Sequence, residues 1–186
     1  MKNLKTYIQN LTTLSEKDWI ILSDCLREQK FKKGEPLLKE NEQCNSIFFI
    51  DHGFCKSSYN KDGKEINTAF YFENDFVTNV KSLTGGTKSE YEITAGEDMI
   101  TLKFDRSRLL EAYKKSQAIE TVGRKLLEII VSRQEDQLNS FKLMTPQQRY
   151  EKLILTHPDF LKRVSLTQIA SYLGISRETL SRIRAR

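Results

Sequence analysis

The spacing of hydrophobic positions changes along the chain, and each change predicts a different element. Near the start, Ser15 and Asp18 form a capping pair, and Trp19, Leu22 and Leu26 recur at helical spacing, which predicts a helix. From Phe31 the period shortens. "FKKGEPLL", "SIFFIDHG", "FCKSSYN", "EINTAFYF", "YEITAG" and "MITLKF" are short, rich in β-branched and aromatic residues, and separated by turn signals. Asp62-Gly63, between two such runs, is the clearest hairpin turn. These runs predict a compact antiparallel sandwich or barrel over about residues 31–104.

Helical spacing returns at about Asp105 and persists to about Leu143. Two apolar stripes run along this stretch. One contains Ile119, Val122, Leu126 and Ile129; the other contains Leu127, Val131, Leu138 and Phe141. Two stripes on one long helix suit burial of one against the β-domain and pairing of the other with a second copy. A single wide face packed within one chain is the competing reading. The 3-4 alternation of the first stripe marks Ile119, Val122, Leu126 and Ile129 as the expected dimer seam.

Thr145-Pro146 then starts a helix, with Thr as N-cap and Pro at the first helical position, and Pro158 follows its end. The segment "SLTQIASYLGISRETLSRIR" packs two helices close together in sequence. Ser165 and Gln168 form a capping box, Gly174 permits an abrupt end, and Ser176 caps the second helix. Ile169, Ala170, Leu173, Leu180 and Ile183 supply the apolar contacts between them. Two helices joined by a tight Gly-containing turn make a helix-turn-helix, whose second helix enters the DNA major groove. That geometry presents Arg177, Glu178 and Arg182 to base edges, with Ser176, Thr179 and Ser181 beside them and Thr167 on the first helix. Arg can pair with guanine O6 and N7, and Glu can accept from cytosine N4. A surface built for charge alone would avoid a carboxylate facing phosphates. Glu178 and Arg182, four residues apart, are also spaced to hold each other as a surface ion pair.

Composition narrows the classes. The chain has 186 residues, 30% charged and 38% hydrophobic, the balance of a folded globular protein. Charge is uneven: residues 1–113 hold 16 Lys/Arg against 18 Asp/Glu, whereas residues 114–186 hold 14 against 7. A basic C-terminal part favours a polyanionic partner there. "MKNLKTYIQNLTTLSEKDW" lacks the apolar core and cleavage site of a signal peptide, so a cytoplasmic location is expected. Cys25, Cys44 and Cys55 make no Cys-x-x-Cys pair, and with only His52 and His157 no metal site is signalled. The sequence carries no P-loop, G-x-S-x-G or H-E-x-x-H motif, and no enzymatic activity or cofactor is expected.

"IASYLGISRETLSRI" resembles the recognition motif of the Crp/Fnr family, the cyclic-AMP receptor protein and its relatives. The likeness extends backwards. "FKKGEPLLKENEQCNSIFFIDHGFCKSSYNKDGKE" is similar to that family's β-roll, residues 105–143 to its dimerisation helix, and "TPQQRYEKLI" to the first helix of its winged helix-turn-helix. The resemblance implies an α+β fold. A cyclic nucleotide-binding-like sensor would occupy residues 1–112, a dimerisation helix 113–143 and a helix-turn-helix domain 144–186. It further implies a homodimeric transcription regulator on a palindromic, TGTGA-like operator. Double-stranded DNA and a second copy are the expected partners, and RNA polymerase is a further candidate. Family pattern assigns base contacts to Arg177, Glu178 and Arg182. A sensor acting through protein–protein contacts is the alternative.

The chain departs from the family where cyclic AMP would sit. Aligning Asn74-Asp75-Phe76 with the family's Gly-Asp-Phe puts Thr78-Asn79 at its Gly-Glu pair, which holds the ribose. Ser89-Glu90 then falls at its Arg-Ser pair, which holds the phosphate. The cation is lost, Glu90 and Glu92 add negative charge, and Lys81 or Lys88 lacks the planar fork of Arg. Cyclic AMP is therefore not the expected effector. An unidentified small molecule is left open, with Phe76, Val77, Thr78, Asn79, Lys88 and Ser89 as its expected pocket. The first 24 residues lack the Cys cluster of the iron–sulfur members, and His52 or Cys55 gives weak support for haem. Many relatives continue into a further strand pair of the wing. Here the chain stops near the end of the recognition helix, and a short protein and a missing tail stay open.

Overall fold

The computed structural model describes residues 1–185; Arg186, within the expected helix-turn-helix domain, lies outside the described residues. The chain divides into two compact units. One comprises residues 1–57 and 70–130, and the other residues 58–69 and 131–186.

The first unit opens with α1 (Lys2–Leu11) and α2 (Glu16–Asp24). Ser15 caps α2 through the expected box: its hydroxyl accepts from the Asp18 N–H and the Asp18 carboxylate accepts from the Ser15 N–H. The helix ends sooner than its apolar spacing suggests. Leu26 belongs instead to β1 (Leu26–Phe31), where it pairs with Phe104. The other strands are β2 (Pro36–Leu38), β3 (Ser46–His52), β4 (Cys55–Lys61), β5 (Lys64–Tyr71), β6 (Phe76–Val77), β7 (Glu92–Ala95) and β8 (Met99–Asp105), with α3 (Val80–Gly85) between β6 and β7. They form two four-stranded sheets, β1-β8-β3-β6 and β2-β7-β4-β5.

Strand alternation divides the core. Phe49, Leu102 and Phe104 point from the first sheet to the helices, where they meet Leu4, Ile8 and Leu22. Phe48, Ile50 and Met99 point the other way, into the interior of the roll with Leu38, Cys55 and Ile93. The three cysteines are buried and free, and burial pushes the Cys55 thiol well above its usual range. Asp62 and Gly63 both take positive φ (53° and 77°), the paired left-handed conformation of a tight hairpin turn between β4 and β5.

The predicted continuous helix from Asp105 is two helices, α4 (Arg106–Lys115) and α5 (Gln117–Leu143), broken at Ser116. There the backbone is extended (φ −152°), and the Ser116 hydroxyl donates to Asp18 at 2.6 Å while accepting from the Ile119 N–H. Both stripes of α5 exist, but the one expected at a dimer seam is the one that is buried. Ile119, Val122 and Leu126, expected at a dimer seam, are buried in their own chain's core with Leu4, Leu22 and Leu109, and Ile129 is half-buried. Burial there follows from α1 and α2, which cover that side of the helix. The exposed stripe is Leu127, Val131, Leu138 and Phe141.

The second unit contains the later part of α5, α6 (Pro146–Thr156), α7 (Phe160–Arg163), α8 (Leu166–Leu173), α9 (Arg177–Arg184) and the outer part of the β4–β5 hairpin. Leu153, Phe160, Val164, Ile169, Ala170, Leu173 and Leu180 form its buried apolar positions. Among the described residues no strand follows α9 and no helix is long and apolar enough to cross a membrane.

Candidate nucleic-acid interface

Local chemistry sets the corner between α8 and α9. Ser165 accepts from the Gln168 N–H while Gln168 Oε1 accepts from the Ser165 N–H, closing the box that starts α8. Gly174 ends α8 at φ 69° and ψ 33°, a left-handed conformation that costs an L side chain about 1–2 kcal/mol. The Ile175 N–H then reaches back to the Ala170 carbonyl at 3.0 Å, satisfying one of the orphan groups at the helix end. Ser176 caps α9 by accepting from the Thr179 N–H at 3.1 Å. α9 packs on α8, and Leu180, like Ile169, Ala170 and Leu173 of α8, is buried, which fixes the rotation of α9.

That rotation decides what α9 presents. Arg177, Glu178, Ser181 and Arg182 are exposed, Thr179 is half-buried, and Ser176 is exposed at the cap. Thr167 is exposed near the start of α8. The expected Glu178–Arg182 ion pair is not formed among the described residues. Glu178 turns to its helix start instead: the Ser176 hydroxyl, then its own N–H, hold its carboxyl below the usual range, with smaller help from Arg177 and Arg182. Arg182 is thereby left for other partners.

Sequence reasoning missed Arg149. From α6 its guanidinium donates to the Met144 carbonyl at 2.8 Å and the Leu173 carbonyl at 2.9 Å, and lies 4.7 Å over the Phe141 ring. It ties the end of α5 to the corner that aims α9. An Arg three residues inside a Pro-started helix was the available signal, but its partners are distant in sequence.

The expected effector residues lie in different surroundings. Phe76 belongs to the helix-side core and Val77 to the roll interior. Thr78 donates to the Ser46 carbonyl at 2.9 Å and contacts the Cys44 thiol at 3.3 Å. Asn79 caps α3 by accepting from the Ser82 N–H at 3.1 Å, and its amide donates to Ser89 Oγ at 2.9 Å. Ser89 is fully buried. Its hydroxyl donates to the Tyr91 carbonyl, its N–H to Glu42, and its carbonyl accepts from Asn41. Lys88 is exposed, and Lys81 is paired with Glu90. Phe76 and Thr78 line an apolar groove with Leu83, Tyr113, Leu126 and Leu127. Burial pushes the Tyr113 hydroxyl up to about 12. Among the described residues no cluster of three or more His, Cys, Asp or Glu is placed to hold a metal; His52 is exposed.

Residues 28–116 match the family model of the cyclic nucleotide-binding domain. A 61-residue segment is 36% identical to the cAMP-dependent protein kinase regulatory subunit of Debaryomyces hansenii, covering 33% of this chain and 13% of that protein. The structure is similar to FixK2 from Bradyrhizobium japonicum, with TM-score 0.71 and 23% identity over 86% of this chain and 83% of that one. It is also similar to a transcriptional regulator of the crp/fnr family from Eubacterium rectale, with TM-score 0.69 and 20% identity over 91% and 82%. The chain therefore has the fold of the Crp/Fnr regulators, built on a cyclic nucleotide-binding domain.

Proposed function

We propose that this protein is a sequence-specific DNA-binding transcription regulator of the Crp/Fnr type that acts as a homodimer on a palindromic site. The observation that carries the reading is the rotation of α9: Leu180 is buried while Arg177, Glu178, Ser181 and Arg182 face outward. Arg177, Glu178 and Arg182 read base edges, Ser176, Thr179 and Ser181 support them, and Thr167 meets the phosphate backbone. The dimer seam is the exposed stripe of α5, in which Leu127, Val131, Leu138 and Phe141, with Gln134 between, follow 4-3-4-3 spacing.

Cyclic AMP is not the effector in this reading. Asn79 and Ser89 stand where the resemblance puts the ribose and phosphate ligands, and their hydrogen-bonding groups are spent on each other and on neighbouring backbone. A phosphate would meet Glu90 and no guanidinium, forfeiting charge-assisted bonds worth about 1.5–3 kcal/mol each.

The test is selection of bound duplexes from a random library, followed by affinity measurements at several salt concentrations. Enrichment of a two-fold symmetric site and a steep fall in affinity with salt are expected. Arg182→Ala should cost about 1–3 kcal/mol and relax preference at one base pair. Equal losses on every sequence would show that Arg182 meets only phosphate.

A further inference from the structure

β5 is the outermost strand of the β2-β7-β4-β5 sheet, so its far side offers backbone groups with no strand to pair them. Within the unit of residues 58–69 and 131–186, that edge is met by helices. The Ser171 hydroxyl, on α8, accepts from the Asn67 N–H at 3.0 Å and donates to the Glu65 carbonyl at 3.2 Å. The Gln137 amide, on α5, donates to the Thr68 carbonyl. One serine thus takes the place of a neighbouring strand.

Ser171 follows Thr167 by four residues, on the same face of α8. The β5 edge therefore lies against the side of the helix that carries the proposed phosphate contact. The contact is also poorly optimised. Asn67 is 3% exposed, and its Oδ1 is buried without a hydrogen-bond partner. An orphaned buried carbonyl offsets part of what two neutral hydrogen bonds contribute, which leaves the contact held by about one net hydrogen bond. A polar contact held that weakly is one that a competing interaction can open.

We propose that the β5 edge and Ser171 form a reversible latch on the helix-turn-helix, closed in the DNA-free protein and opened when DNA docks along the Thr167 side of α8. The latch opposes DNA binding, because docking must first break the bonds from Ser171 to Asn67 and Glu65. This inference rests on the DNA-binding reading above.

Amide hydrogen exchange on the full chain tests it, free and bound to the duplex enriched by the wild-type protein. The Asn67 amide should exchange about ten-fold faster in the complex, as its acceptor moves away. Ser171→Ala keeps a good helix former on α8 and removes both bonds. It should bind the duplex about five-fold more tightly, the equivalent of one net hydrogen bond no longer broken. Ser171→Thr restores the hydroxyl and should return the affinity to the wild-type value. An enriched duplex that leaves Asn67 exchange unchanged, or that Ser171→Ala binds no more tightly, overturns the latch alone. If no duplex is enriched, the DNA-binding reading falls and the latch falls with it.

Discussion

The guanidinium of Arg149 bonds two carbonyls from different elements, Met144 after α5 and Leu173 at the end of α8, while stacking on Phe141. Its planar fork suits that task, whereas a lysine offers one point charge. Hydrogen bonds from a charged donor contribute about 1.5–3 kcal/mol each, and water can recover part of that at freed carbonyls. Arg149→Met should therefore destabilise the protein by about 2–3 kcal/mol in urea unfolding, and Arg149→Lys should recover less than half of the loss. Gly174 makes a separate contribution. A Cβ there would stand 3.5 Å from the Phe141 ring, an ordinary contact, so the strain of Gly174→Ala is that of its φ of 69°. The same unfolding measurement should show a loss of about 1–2 kcal/mol.

At the scale of elements, what was legible in the sequence was local. Ser165, Gln168, Gly174 and Ser176 act within four residues of themselves, so the corner of the helix-turn-helix could be read without knowing the rest of the fold. Asp62-Gly63 was readable for the same reason. The face of α5 was not, because it is decided by α1, which is marked only by the helical spacing of Leu4, Ile8 and Leu11. The spacing of Leu26 fits a helix, yet pairing with Phe104 claims it for β1. The two stripes separate two variants. Leu138→Asp should lower the mass seen by sedimentation while leaving the fold intact, since Leu138 is 54% exposed. Ile119→Asp puts a carboxylate in the core and should unfold the protein. Asp18 joins two elements, capping α2 and accepting from Ser116 at the start of α5. The Ser116 and Ser15 hydroxyls hold its carboxyl below the ordinary value of 3.8. A lowered folded value makes its contribution complete above that ordinary value and lost as pH falls through the folded one. Asp18→Asn should therefore flatten the acid limb of stability below about pH 4, followed by urea titrations at each pH.

For the whole molecule the question is whether the proposed DNA-binding function answers to a small molecule. Residues 28–116 match the cyclic nucleotide-binding domain, but at the positions where the resemblance puts the nucleotide ligands the polar groups are turned inward. Ser89 is fully buried, with Asn79 and the Tyr91 backbone as its hydrogen-bond partners. Fold and site chemistry therefore point in different directions, and the chemistry governs binding. A ligand at a hundred times its dissociation constant adds about 2.7 kcal/mol to stability, whatever its route into the protein. For a domain of this size that shifts the unfolding midpoint by roughly 5–10 °C. Millimolar cyclic AMP should leave the thermal midpoint of this protein unchanged. A rise of several degrees would mean that Asn79 and Ser89 exchange their internal partners for the nucleotide, and would return cyclic AMP to the role of effector.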